Sequence, residues 1–300
     1  MTEDAIIIGG GFAGLSAALQ LARARRRITV LDTGEPRNRF AARSHGFLAQ
    51  DGRPGRDILA EARRQLYAYD TVTFRDAPAE RLDGERDGFS VVTGDGGRIE
   101  GRRVLLATGF EDRLPDIPGL AERWGRTVLH CPYCHGYEVG GGPVGVLART
   151  AEAARFAAVV ADWGDVTLFT NMVPEPDEEA LAVLAARKVR LRPGRVTAIA
   201  DGPDGMLSVE TGPGIPTLVK ALFVMPEARV RSDIPAERGL KLKETPVGSI
   251  LATDDTGQTS LPGLYAAGDI ALGAANISLA SANGVKTAVF LHHSLIWPSH

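Results

Sequence analysis

The chain has 300 residues, 44% of them hydrophobic and 24% charged, with a formal net charge of −3. That length leaves room for two modest domains of ordinary globular composition. The near-neutral charge gives no broad electrostatic reason to expect nucleic acid, and no apolar run is long enough to cross a bilayer. Met1-Thr2-Glu3-Asp4 is acidic where a secretory signal is basic, and the apolar run that follows is too short for a signal core. A cytoplasmic location is therefore expected.

In chain order, residues 5–8 read as a strand running into Gly9-Gly10-Gly11-Phe12-Ala13-Gly14. Residues 15–24 fit a helix, and residues 28–31 a second strand closed by Asp32. This is a βαβ opening. Gly9, Gly11 and Gly14 match a dinucleotide fingerprint in that setting. The first glycine permits the tight turn, the second lets backbone approach a pyrophosphate, and the third allows close helix–sheet packing. Ala13 belongs to the same cradle, the helix N-terminus favours an anion, and Asp32 is placed to accept from ribose hydroxyls.

Residues 71–103 carry short alternating runs separated by glycine and aspartate turns, which predicts an antiparallel meander inserted in the first domain. Residues 104–109 return as a buried strand ending in Ala107-Thr108-Gly109. Residues 111–119, charged and holding Pro115 and Pro118, read as a linker. A second αβ pattern follows: strands at 144–147 and 166–169, helices at 151–161 and 178–187, and alternation over 195–224. Residues 228–233 read as the return linker. Leu264-Tyr265-Ala266-Ala267-Gly268-Asp269 then delivers Gly268 and Asp269 toward a long helix over 277–296. Such a turn can set a carboxylate on a ribityl chain and backbone N–H groups on phosphate. With the N-terminal fingerprint and with Thr108 and Gly109, it selects FAD over NAD for the first domain.

The only two cysteines stand in Cys131-Pro132-Tyr133-Cys134-His135-Gly136. A bridge over so short a loop constrains the unfolded chain little, so a transient catalytic disulfide fits better than a staple. Pro132 suits a first helical turn, which puts Cys131 at a helix N-terminus where the dipole favours thiolate. Thiol–disulfide exchange needs a proton shuttle, and His130 and His135 flank the pair. Zinc on these four residues is a poor alternative, since adjacent ligands do not readily wrap a tetrahedral ion, and no metal is expected. His135 as a merely packed or solvated side chain stays open.

The order GGGFAG, ATG, CPYC, GLYAAGD resembles the low-molecular-weight thioredoxin reductases over nearly the whole chain. The resemblance implies an α/β fold of two Rossmann-like, three-layer ββα domains. The FAD domain would be discontinuous, at 1–111 and 231–300, with an inserted NAD(P)H-like domain at 112–230 carrying the cysteines. It also implies a homodimer, with Cys134 facing the flavin and Cys131 attacking substrate. His135 stands where the family typically has an aspartate, and is the expected base.

The second nucleotide turn should follow residues 144–147, where the glycine positions map to Ala148, Thr150 and Ala153. A Cβ strains the first position and blocks backbone approach at the second. Residues 170–179 lack the basic side chains of a 2′-phosphate clamp and hold several carboxylates. In these respects the chain is more similar to the FAD-dependent dithiol oxidases of the gliotoxin and holomycin type. These share CPYCHGYE-like sequence and an early Arg-Asn followed by His-Gly-Phe-Leu-x-x-Asp-Gly, here Arg37-Asn38 and residues 45–52. That resemblance places Arg37, Asn38, His45 and Asp51 around the flavin. Asn276, Ile277 and Ser278 occupy the place of a flavin-holding Arg-Gln-Ala. The expected reaction is oxidation of a small-molecule dithiol through Cys131 and Cys134, with dioxygen as acceptor. A reductase fed by NADPH or a protein donor, and a flavin redox sensor without turnover, are the alternatives.

Overall fold

The computed structural model describes residues 1–245, 248–273 and 276–297. The chain opens with β1 (Glu3–Ile8), α1 (Phe12–Arg23) and β2 (Ile28–Leu31). Buried Ala13, Leu15, Ala17, Ala18, Leu21 and Ala22 give α1 the apolar stripe that seats it on the sheet. α2 (Gly55–Leu66) leads to β3 (Val72–Arg75), which lies parallel to β2 with Val72 opposite Ile28. β4 (Ala79–Asp83), β5 (Phe89–Thr93) and β6 (Arg98–Leu106) run antiparallel. The expected meander over 71–103 is thus corrected at its start: residues 72–75 are an edge strand of the parallel sheet. A short alternating run has the same period in either setting, so the pattern alone does not separate them.

β6 changes partner along its length. Residues 98–101 pair with β5, and residues 101–106 lie beside β1. β7 (Phe110–Arg113) then leaves the sheet. A second βα unit follows: β8 (Val128–Leu129), α3 (Pro132–Val139), β9 (Pro143–Leu147), α4 (Ala153–Val160), β10 (Asp165–Phe169), α5 (Glu178–Ala186) and β11 (Arg190–Arg192). β12 (Ala198–Asp201), β13 (Leu207–Glu210) and β14 (Thr217–Val219) form a separate antiparallel sheet. β15 (Leu222–Val224) returns between β9 and β8, completing a parallel five-stranded sheet ordered β11-β10-β9-β15-β8.

β16 (Glu227–Val230) crosses back and pairs antiparallel with β7. The two stretches expected as linkers are therefore partly strands. Outgoing and returning chain lie side by side in opposite directions, and each satisfies the other's backbone groups. α6 (Ile234–Glu237), the hairpin β17 (Leu242–Thr245) and β18 (Gly248–Leu251), β19 (Leu264–Ala266), α7 (Asp269–Leu272) and α8 (Ile277–Ile296) complete the chain. β19 joins β6 in the first sheet, whose order is β3-β2-β1-β6-β5-β4.

Strand alternation divides each sheet between two cores. In the first, Ile7, Val30 and Leu105 meet α1 and α8, while Ile6, Ile8, Leu31 and Leu106 face the meander side. In the second, Val144, Val146, Leu168 and Phe223 pack on α4, while Leu147, Phe169, Leu222 and Val224 cover β12 to β14. The fold is α/β, built of two Rossmann-like three-layer units. No helix among the described residues is long and apolar enough to cross a membrane.

Candidate active site

The turn from β1 to α1 is shaped by three different demands. Gly9 has φ +111°, and a Cβ there would meet the Ala107 carbonyl oxygen at 2.3 Å. A Cβ on Gly14 would meet the Gly9 oxygen at 1.8 Å, so α1 sits directly on its own turn. Gly11 faces open space, with no atom of the protein within 4 Å of the place a Cβ would take. As the N-cap of α1 it offers no side-chain hydrogen bond, so the first helical N–H groups are left for an outside acceptor. Gly10 was not singled out by the fingerprint. Its N–H donates to Asp32 Oδ1 at 3.2 Å, and a Cβ on it would strike that carboxylate at 2.6 Å.

These residues open into a cavity of about 1190 Å³. That exceeds the roughly 300–1,000 Å³ of ordinary small-molecule sites and suits an extended ligand. Gly9, Gly11, Ala13, Asp32, Arg37, Asn38, His45, Thr108, Gly109, Gly268, Asp269, Asn276 and Ile277 all line it, together with Cys131, Cys134 and His135. Thr108 Oγ1 is buried without a partner, the mark of a polar group awaiting a ligand. An open cradle, an orphaned hydroxyl and Asp32 at the end of β2 fit a dinucleotide such as FAD.

Other expected cofactor residues have protein partners. Asp51 is off the cavity wall: its side chain is 70% exposed, and Oδ1 accepts from Gly46 N–H at 2.8 Å. Ser278 is also outside the lining and donates to the Gly46 carbonyl at 3.4 Å. Asn276 caps α8 by accepting from Leu279 N–H at 2.9 Å, so its side chain is engaged in the helix start. Asn38 Nδ2 lies 3.4 Å from Ser44 Oγ. Two residues missed in the sequence support the site. Asn283 accepts from Gly268 N–H at 2.8 Å, and Arg63 lies 3.5 Å from Asp32 Oδ2. Both reach the site from helices whose packing no local motif announces.

Arg37 makes a two-sided clamp. Its Nη1 reaches Asp269 Oδ2 at 2.8 Å, and its Nη2 reaches Asp112 Oδ1 at 2.5 Å. Burial opposes the guanidinium charge, but the two carboxylates outweigh it and the Arg37 pKa rises. Burial raises Asp269, with Arg37 acting against the shift.

Cys131 is the N-cap of α3, Pro132 opens the helix, and Cys131 and Cys134 are joined in a disulfide. Both sulfur-bearing residues line the cavity beside the cradle. The two flanking histidines differ. Burial, then Arg37, pushes His130 down to about 4, which makes it a weak base at neutral pH. His135 is lowered by burial and by His45, with Glu138 pulling the other way. Both histidines line the cavity with the two cysteines. Gly136 follows His135 for a packing reason: a Cβ there would strike the Trp163 ring at 2.5 Å, so the indole packs directly against α3.

The β9–α4 turn contrasts with the first. Residues 9–11 separate β1 from α1, whereas residues 148–152 separate β9 from α4. Ala148 is buried, Glu152 occupies the N-cap of α4, and Arg149 is held by the Met225 carbonyl at 3.3 Å and by Glu227 at 3.6 Å. Asn171 lies across the end of the sheet, donating to the Ala148 carbonyl at 3.3 Å and accepting from Val196 N–H at 3.0 Å. An α/β sheet binds its nucleotide beyond the carboxyl ends of the strands, and Asn171 lies at that end of this sheet.

A family model described as pyridine nucleotide-disulphide oxidoreductase matches residues 3–288. The chain belongs to this family. A solved oxidoreductase from Agrobacterium tumefaciens is 43% identical with a TM-score of 0.95, covering 99% of this chain and 100% of its own. The crystal structure of HlmI is 37% identical with a TM-score of 0.89, covering 98% and 93%. Thioredoxin reductase sirT of Leptosphaeria maculans is 30% identical over 302 residues, 94% of this chain and 91% of the relative. This pyridine nucleotide-disulphide oxidoreductase is an FAD-dependent thiol–disulfide enzyme.

Proposed function

We propose that the enzyme is a dithiol oxidase that closes a disulfide in a small-molecule dithiol and passes the electrons to dioxygen, forming hydrogen peroxide. The observation that carries the reading is the contrast between the two βα turns. The first is an open glycine cradle beside the cysteine pair, while the second is crossed by Asn171 and capped by Glu152. Electrons then enter from thiols rather than from a pyridine nucleotide.

A substrate thiol gives its proton to His135, and the thiolate attacks Cys131 Sγ. The Cys131–Cys134 bond breaks, and Cys134 leaves as thiolate. The second substrate thiol attacks the mixed disulfide, releasing product disulfide and the Cys131 thiolate. The thiolate form is favoured at Cys131 by its place at the start of α3. Held by the cradle around Gly9, Gly11, Ala13 and Gly14, by Asp32 and Thr108, and by the turn at Gly109, Gly268 and Asp269, FAD supplies the electron relay to dioxygen. The proposed working form is a cytoplasmic homodimer, and light scattering of the yellow protein tests its stoichiometry.

The test is peroxide formation from dithiothreitol without nicotinamide. Cys131→Ser is expected to retain bound flavin and lose at least about 10²-fold in turnover, as for loss of a nucleophile. Unchanged turnover contradicts the mechanism. Several relatives named thioredoxin reductase favour a second reading, a reductase, which requires NADPH or a protein donor to reduce the flavin.

A further inference from the structure

His45 was expected around the flavin, yet its imidazole is engaged by the redox helix. Nδ1 lies 3.3 Å from Glu138 Oε1 on α3, across from the loop that carries the histidine. The same nitrogen is 3.7 Å from Asp51 Oδ1 on its own loop. His45 is 16% exposed, and Glu138 is 43% exposed. Glu138 stands one turn beyond Cys134 and His135 on α3, so the three share the helix side that meets this loop. The titratable groups facing His45 among the described residues are His135 and Glu138 from α3 and Asp51 from its own loop. A half-buried base thus pairs with a carboxylate open to water and lies within electrostatic reach of the half-buried His135.

Resting on the dithiol-oxidase reading, we propose that His45 and Glu138 form the outward leg of a proton relay from His135 to solvent. Oxidation of a dithiol to a disulfide releases two protons and two electrons. The electrons leave through the cysteine pair to the flavin. Each thiol proton taken by His135 must depart before the base is ready again, and partial burial disfavours its imidazolium. His45 accepts the proton, and the Glu138 carboxylate passes it to water. Two protons taken up from solvent complete hydrogen peroxide at the oxygen end, so the cycle balances.

The experiment uses the FAD-loaded protein, mixed anaerobically with dithiothreitol, and follows flavin bleaching. His45→Gln is expected to bind FAD normally, keep the concentration dependence on dithiothreitol, and bleach about tenfold more slowly, within the range for loss of a proton-transfer group. Added imidazole restores most of that rate. Glu138→Gln slows bleaching by about threefold. An independent readout is the NMR titration of the His135 ring. Glu138→Gln lowers its pKa by removing a nearby negative charge. Loss of FAD from His45→Gln, a wild-type rate in that variant, a slow rate that imidazole leaves unchanged, or an unmoved His135 titration overturns the relay alone. A wild-type flavin that dithiothreitol leaves yellow overturns the relay together with the dithiol-oxidase reading.

Discussion

In the proposed function His135 and Asn171 have opposite tasks, one moving protons and the other lying across the second βα turn. Burial lowers the His135 pKa, so its neutral, proton-accepting form persists to lower pH than the ordinary value of 6.5 allows. The ratio of wild-type to His135→Gln bleaching rates cancels the titration of the dithiol itself. That ratio is expected to hold at about 10² near neutrality and to fall only below pH 6.5. A fall centred above 6.5 contradicts the assignment. The grouping of the cysteines and His135 in one cavity was legible because the signal is local: a short spacing, a proline and an imidazole. Asn171 was not, because its two partners, the Ala148 carbonyl and the Val196 N–H, come from other strand ends. Gly10 hid in plain sight, since only the position of the Asp32 carboxylate gives it a reason to lack a side chain.

Helices and turns set the tolerance of the site to change. Gly14→Ala places a methyl where the Gly9 oxygen already lies, at 1.8 Å. It is expected to abolish FAD retention on gel filtration, whereas Gly11→Ala, which meets nothing in the protein, should lose FAD only through its clash with the pyrophosphate. The unfolding temperature of the cofactor-free chain separates the two, because Gly11→Ala keeps it and Gly14→Ala lowers it. On α3, Gly136→Ala forces a methyl into the Trp163 ring. The expected penalty is about 1–3 kcal/mol of overpacking. In the double variant with Trp163→Ala, denaturant unfolding should show that penalty largely removed, a coupling that separate effects would not produce. The first βαβ unit was legible because period and glycine spacing agree there. The β3 assignment failed because an edge strand and a meander strand share one pattern, and β7 and β16 were read as linkers because their pairing joins residues far apart in sequence.

At the scale of the molecule, the Arg37 clamp ties the first crossing strand to the C-terminal turn. Asp112 lies on β7 and Asp269 opens α7, at separations of 75 and 232 residues from Arg37. No sequence window contains such a clamp, although Arg37 itself was expected at the cofactor site and lines the cavity. Arg37→Gln leaves two facing carboxylates without their cation. It is expected to cost about 3 kcal/mol in urea unfolding, the low end for breaking a buried pair. A change below about 0.5 kcal/mol would place the clamp among ordinary surface pairs. The central claim concerns where electrons enter: thiols at the α3 disulfide, with the β9–α4 turn closed to a pyridine nucleotide. An anaerobic titration of the flavin with two reductants tests it most directly. Dithiothreitol is expected to bleach the yellow absorbance at about one equivalent per flavin, while NADPH leaves it unchanged. Rapid bleaching by NADPH, with dithiothreitol inert, would contradict the account.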